Sequence, residues 1–125
     1  MATGLENLRV YCLAEDLEIK VHQLTKKFPR DELYRVIDQL RRSSASVANN
    51  IAESYHKTTV REKIRFIDIA MGETEETKWN LIKSLRKEFA SDDEMTPIVD
   101  KYTELLKGLN AYRKFLSLSK PKTKN

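Results

Sequence analysis

Residues 10–28 read VYCLAEDLEIKVHQLTKKF and run straight into Pro29. Val10, Ala14, Leu17, Val21, Leu24 and Phe28 recur in alternating steps of four and three, the spacing of one apolar stripe on an α-helix. A strand, with its period of two, does not produce that pattern. Pro29 closes the segment, because a residue before proline is pushed out of the α region. A helix with a single apolar stripe must bury it against other elements. The rest of the chain supplies three more of the same kind.

Asp31 is expected to N-cap a second helix running to about Tyr55. Its core face would be Leu33, Val36, Ile37, Leu40, Ser44, Val47, Ile51 and Tyr55. Thr59-Val60-Arg61-Glu62 fits a capping box, in which hydroxyl and carboxylate each take one orphan backbone N–H. It opens a third helix with Val60, Ile64, Ile67, Met71, Thr74, Leu81, Ile82, Leu85 and Phe89 on one face. Ser91-Asp92-Asp93 reads as the next loop, and Thr96-Pro97 as an N-cap followed by proline at the first helical position. Ile98, Val99, Tyr102, Leu105, Leu106, Leu109, Tyr112 and Leu116 form the fourth seam. The prediction is an all-α fold, an antiparallel up-down-up-down four-helix bundle over residues 5–118. Residues 119–125, Ser-Lys-Pro-Lys-Thr-Lys-Asn, have no apolar content and are expected to be a basic, disordered tail.

Composition agrees. The 125 residues make one domain, 40% apolar and 34% charged, and three Gly with three Pro leave little for the turns of a sandwich or barrel. Cys12 is the only cysteine, so no intramolecular disulfide can form and a reduced, cytoplasmic protein is expected. In the first helix it reads as a small packing residue. Neither a signal core nor a membrane-length apolar run is present, so no membrane partner is expected.

The net charge of +4 conceals a segregation: −2 over residues 1–25, +5 over 26–65, −5 over 66–100 and +6 over 101–125. Neighbouring helices of opposite sign would attract one another across a bundle. The sharper reading gathers Lys26, Lys27 and Arg30 at one end of helix 2 and Lys57, Arg61 and Lys63 at the other. With Lys120, Lys122 and Lys124 they would form a surface for phosphate. Tyr55 is the one aromatic beside them, so contact is expected with the backbone of RNA or DNA, independent of sequence. The rival is a protein partner recruited by the acidic residues Glu73, Glu75, Glu76, Asp92, Asp93 and Glu94.

Catalytic patterns are missing. Glu53-Ser54-Tyr55-His56 matches one Glu-x-x-His unit of a di-metal bundle, but such a site needs two units and two further glutamates. The other histidine, His22, has Ile19 where the glutamate would stand. No Gly-rich phosphate loop and no nucleophile–base spacing appears. The expectation is a non-enzyme with no catalytic residues, no metal and no cofactor.

Ser43 to Ala52 is a run of ten uncharged residues in a charge-rich chain. Arg42, Ser46, Asn49, Asn50 and Glu53 form a stripe off the apolar seam, and Arg65, Ile69, Gly72 and Glu76 form another on helix 3. Phe66 and Trp79 also fall outside the seam. In an antiparallel hairpin, facing residues have a constant index sum. Arg42 with Glu76, Ser46 with Gly72 and Glu53 with Arg65 all give 118. These residues are therefore expected to pair two helices, within the hairpin or between subunits, with Arg–carboxylate pairs at both ends of a small-residue centre.

Those same residues carry a resemblance. Gln39-Leu40-Arg41-Arg42, Ser46, Asn50-Ile51-Ala52-Glu53, Arg65-Phe66-Ile67, Ile69-Ala70, Gly72 and Glu76 look like the signature of the bacterial four-helix-bundle family encoded in 23S rRNA intervening sequences. Val10-Tyr11, Leu24-Thr25, Lys27-Phe28-Pro29 and Tyr34 match it too, so the resemblance runs from about Leu8 to Leu116. Ser54 and Arg35 stand where the family usually has Gly, and Glu73, Thr74 and Thr77 are more polar than its usual residues. The resemblance implies a ring-like homopentamer without known enzymatic activity. It is similar to the accessory variability proteins of diversity-generating retroelements, basic pentamers that bind nucleic acid and a reverse transcriptase.

Overall fold

A computed structural model describes residues 4–5 and 8–118. Its four helices are α1 (Arg9–Thr25), α2 (Asp38–His56), α3 (Val60–Arg86) and α4 (Asp92–Leu118). No strand occurs among the described residues. Contacts run α1–α2, α2–α3, α3–α4 and α4–α1, closing the four-helix bundle. The tail at 119–125 lies outside the described residues.

The seams read from the sequence supply most of the core, but Leu33, expected on the core face of helix 2, is exposed, because it precedes the break at Tyr34 and Arg35 and lies outside α2. Ala14, Leu17, Val21, Leu40, Val47, Ile51, Ile67, Leu81, Tyr102, Leu105 and Leu109 are fully buried. Burial of each large aliphatic side chain stabilises the fold by about 1.5–3 kcal/mol. Thr59 caps α3 as expected, its hydroxyl accepting from the Glu62 N–H at 3.1 Å.

Three local expectations are overturned. Helix 2 does not start at Asp31: Arg30–Glu32 form a single 3₁₀ turn after Pro29, with no side-chain cap. Tyr34 and Arg35 then leave helical geometry (φ −97°, ψ 18° and φ −124°, ψ −108°), and α2 begins only at Asp38. The break leaves Tyr34 88% exposed while Ile37 is buried. Thr96-Pro97 is not a helix start either. Ser91 caps α4, its hydroxyl accepting from the Glu94 N–H and its own N–H donating to the Glu94 carboxylate, both at 3.2 Å. That earlier start brings Met95 into the core, and Pro97 is tolerated inside the helix. Cys12, finally, is exposed rather than packed.

Between α2 and α3 the packing is small and polar. Ser43, Ser54, Thr74 and Thr77 are buried, and each hydroxyl has a partner. Ser54 Oγ donates to the Lys63 carbonyl at 2.8 Å, which ties the end of α2 to the start of α3. A glycine there, with no side chain, would lack that tie.

Candidate nucleic-acid interface

The two basic clusters lie at opposite ends of α2. At the first end, Lys26 and Lys27 follow the last turn of α1, and Arg30 opens the 3₁₀ turn. Pro29 ends one helix and the next is delayed to Asp38, so a cationic connection spans this end of the bundle. Phe28 anchors it from below, its ring 5.4 Å from that of Phe89 just past α3. Lys26, Arg30 and Arg41 share a cleft of about 280 Å³ with Thr25, Phe28, Leu33 and Ile37. Arg41 is committed within it: Nε donates to Thr25 Oγ1 at 2.9 Å and Nη2 to the His22 carbonyl at 3.4 Å, bracing the C-terminus of α1. Lys27 pairs with Glu94. Lys26 and Arg30 make no ion pair among the described residues and are the uncommitted cations here.

The second cluster is less free than its sequence suggests. Lys57 pairs with Glu53 at 3.2 Å and lies over the Phe66 ring at 5.1 Å. Lys63 Nζ donates to the carbonyl of Tyr55 (3.0 Å), an orphan acceptor at the C-terminus of α2, and to that of Ser54 (3.4 Å), which also accepts the Lys57 N–H at 3.2 Å. It also stands 5.9 Å from the Tyr55 ring, so that ring is already served by a cation. Of this cluster Arg61 alone is exposed and makes no ion pair among the described residues. Lys120, Lys122 and Lys124 lie outside the described residues.

The structure adds cations that the sequence reading missed. Lys83 and Lys87, near the end of α3, share a groove of about 340 Å³ with Tyr34 and Arg35. They fall in the acidic third quarter of the chain, and block charges hid them. Their signal was topological: in an antiparallel hairpin the end of helix 3 returns beside the start of helix 2.

The assembly set is placed as follows. Within one chain the expected pairs do not form. Arg42, 80% exposed in its side chain, meets Asp38 at 3.6 Å; Glu53 meets Lys57; and Arg65 meets Glu62 at 3.9 Å. Arg65 also stacks on Phe66 at 4.8 Å, so Phe66 has two cations beside it. Ser46 and Asn50 bond to each other at 3.0 Å. Gly72 is exposed, and a Cβ there would meet nothing within 4 Å. Arg42, Ser46 and Glu76 nevertheless border one groove of about 790 Å³ between α2 and α3, together with Asp38 and Glu73. Burial, and then the neighbouring Glu76 charge, pushes the Glu73 carboxyl above its ordinary value.

The acidic set does not make one surface. Glu73 and Glu76 face that groove, Glu75 accepts from Trp79 Nε1 at 3.2 Å, and Glu94 is spent on capping α4 and on Lys27. Glu53 and His56 meet no third ligand: among the described residues no three His, Cys, Asp or Glu side chains gather as a metal site. No described helix is long and apolar enough to cross a membrane.

No curated protein matches the chain. Among solved structures, it is similar to a protein of unknown function from the S23 ribosomal protein family of Bacteroides thetaiotaomicron. The TM-score is 0.76 at 21% identity, over 84% of this chain and 98% of that one. At such identity the likeness shows the fold. The family model for the 23S rRNA-intervening sequence protein matches residues 6–111, most of the chain's length. The chain belongs to the 23S rRNA-intervening sequence protein family.

Proposed function

We propose that this chain is a non-catalytic homo-oligomer, a ring of five subunits, that binds the backbone of RNA or DNA. The observation that carries the binding half is the connection after α1. There Lys26 and Arg30, which make no ion pair among the described residues, stand beside a cleft of about 280 Å³. Phosphate recognition needs cations not already neutralised, and a ring repeats such a patch around its axis, so modest affinity per site becomes avidity. Arg61, at the other end of α2, would give a second contact, and the tail lysines Lys120, Lys122 and Lys124 would add charge.

For assembly, the support is the set of exposed residues whose intra-chain partners are weak. Arg42 and Glu76 border one groove without pairing, and Gly72 leaves room for a close helix. In a ring, Arg42 of one subunit would meet Glu76 of the next, and Glu53 would meet Arg65, with Ser46, Asn50 and Phe66 alongside.

Two measurements test the reading. Binding of generic RNA or DNA should weaken steeply as salt rises, because each phosphate contact releases counterions. Absence of any binding at low salt would remove the nucleic-acid half and leave a scaffold for a protein partner. Light scattering should give five subunits. Arg42→Glu should lower that number with helix content intact, and adding Glu76→Arg should restore part of it. Purely additive losses would mean that the two residues do not meet. Removing residues 119–125 should cost affinity and leave the subunit number unchanged.

A further inference from the structure

Tyr34 is the most exposed large hydrophobic side chain among the described residues, and it belongs to neither the core nor the clusters above. It sits where the chain breaks helical geometry between the 3₁₀ turn and α2, so its ring is held out from the bundle on a short ordered segment. Two grooves flank it, and their charges differ. On one side are Asp38, Glu73 and Glu76, with Arg42 the sole cation. On the other are Arg35, Lys83 and Lys87, with Glu32 the sole carboxylate. Glu32 lies 3.9 Å from Arg35, while Lys83 and Lys87 make no ion pair among the described residues.

We infer that Tyr34 is a stacking platform for one unpaired base of a single-stranded nucleic acid, whose backbone runs along Arg35, Lys83 and Lys87. An exposed aromatic face beside a row of cations is the arrangement by which proteins hold single strands without reading sequence. The groove on the other side of Tyr34, bordered by Arg42 and Glu76, is the one the next subunit fills in the proposed ring, so the strand leaves the platform along Arg35, Lys83 and Lys87. A duplex keeps its bases stacked inside and offers the ring no face, so single strands are preferred. The inference rests on the nucleic-acid reading above and goes beyond backbone contact alone.

The test uses the full chain and fluorescence anisotropy at low salt. The probes are an oligothymidine of about 12 nucleotides, the same length made abasic, and a duplex. The wild-type protein should bind the base-bearing strand more tightly than the abasic one. Tyr34→Ala should erase that preference with a loss of about five- to a hundredfold, and Tyr34→Phe should keep it. Lys83→Gln with Lys87→Gln should weaken both strands alike and flatten the salt dependence. An unchanged base-to-abasic ratio in Tyr34→Ala, with the lysine variants still weakened, would overturn the platform and leave nucleic-acid binding standing. A Tyr34→Ala protein that changes subunit number instead would make the ring a protein contact and overturn it too. Absence of wild-type binding would remove both readings together.

Discussion

The Ser43 and Thr77 hydroxyl oxygens lie 2.6 Å apart in the buried seam between α2 and α3. Thr77 Oγ1 also donates to the Glu73 carbonyl at 2.8 Å, so the Ser43 hydroxyl is the donor onto Thr77. The pair forms a short relay from one helix to the backbone of the other. It occupies the position next to Arg42 and Glu76 on each helix, one residue around toward the core.

Removing the two ends of that relay should not be equivalent. Ser43→Ala leaves Thr77 bonded to Glu73 and should cost about 1 kcal/mol. Thr77→Val strands a buried Ser43 hydroxyl, whose remaining contact with the Leu40 carbonyl is 3.5 Å long, and should cost about 1–3 kcal/mol. The double variant should lose less than the sum, because both polar groups are then gone. Chemical denaturation of the four proteins checks the cycle; additive losses would mean the hydroxyls are not coupled.

Helix 3 ends on a residue that is the wrong type for its backbone. Glu88 has φ 64°, and the Phe89 N–H reaches back to the Ser84 carbonyl (3.0 Å) while Glu88 N–H bonds to Leu85 (2.9 Å). That is a Schellman turn, which favours glycine at the left-handed position. Glu88→Gly should therefore raise stability by about 1 kcal/mol, read as an upward shift in melting temperature. Since Glu88 is exposed, no lost contact should offset the gain.

This terminus also shows what the sequence could reveal. The four seams were legible because periodicity survives any detail of the connections. The pairs expected from an index sum of 118 do not form within the chain; the side chains that cross the seam, Ser43 to Thr77 and Ser54 to Lys63, have sums of 120 and 117. The face was displaced by one residue, because small polar side chains such as Ser43 and Thr77 read as surface while they line the tightest contact. The end of α3 was illegible, since no Gly marks Glu88. The start of α4 was legible and misread: Ser91-x-x-Glu94 is as good a capping signal as Thr96-Pro97, and Met95 needed the earlier one to be buried. Among the basic residues, sequence spacing grouped Lys63 with Arg61, although only a three-dimensional cap distinguishes them.

The Ser91 cap should show itself in both stability and its pH dependence. Ser91→Ala should cost about 1 kcal/mol through the lost helix cap. The Lys27 ammonium and then the Ser91 N–H hold the Glu94 carboxyl below its ordinary 4.5. A carboxyl depressed on folding contributes stability that is fully present above 4.5 and is lost as acid carries the pH through the lower folded value. Glu94→Gln should flatten that acid limb in a melting-temperature profile. Glu73 works in the opposite direction: its carboxyl is raised on folding, so its charged form is penalised at neutral pH. Glu73→Gln should raise the melting temperature near pH 7 and have no effect once the pH is low enough to protonate both states.

Lys63 and Arg61, two residues apart, should respond to neutralisation in different ways. Lys63 is part-buried with its ammonium on the carbonyls of Ser54 and Tyr55, so Lys63→Gln should destabilise the fold by about 1.5–3 kcal/mol, the range for a charged hydrogen bond. Because that ammonium already serves the helix end, the variant should leave the salt dependence of nucleic-acid binding unchanged under conditions where it is folded. Arg61 is exposed and pairs with no carboxylate, so Arg61→Gln should change stability by no more than about 0.5 kcal/mol. It should instead lower affinity for all sequences alike and reduce the salt slope by about one unit. Parallel melting curves and salt titrations on the two variants separate these outcomes. If Lys63→Gln melted like the wild type and bound with a shallower slope, the ammonium would be available to phosphate, and its place would be in the binding surface rather than at the end of α2.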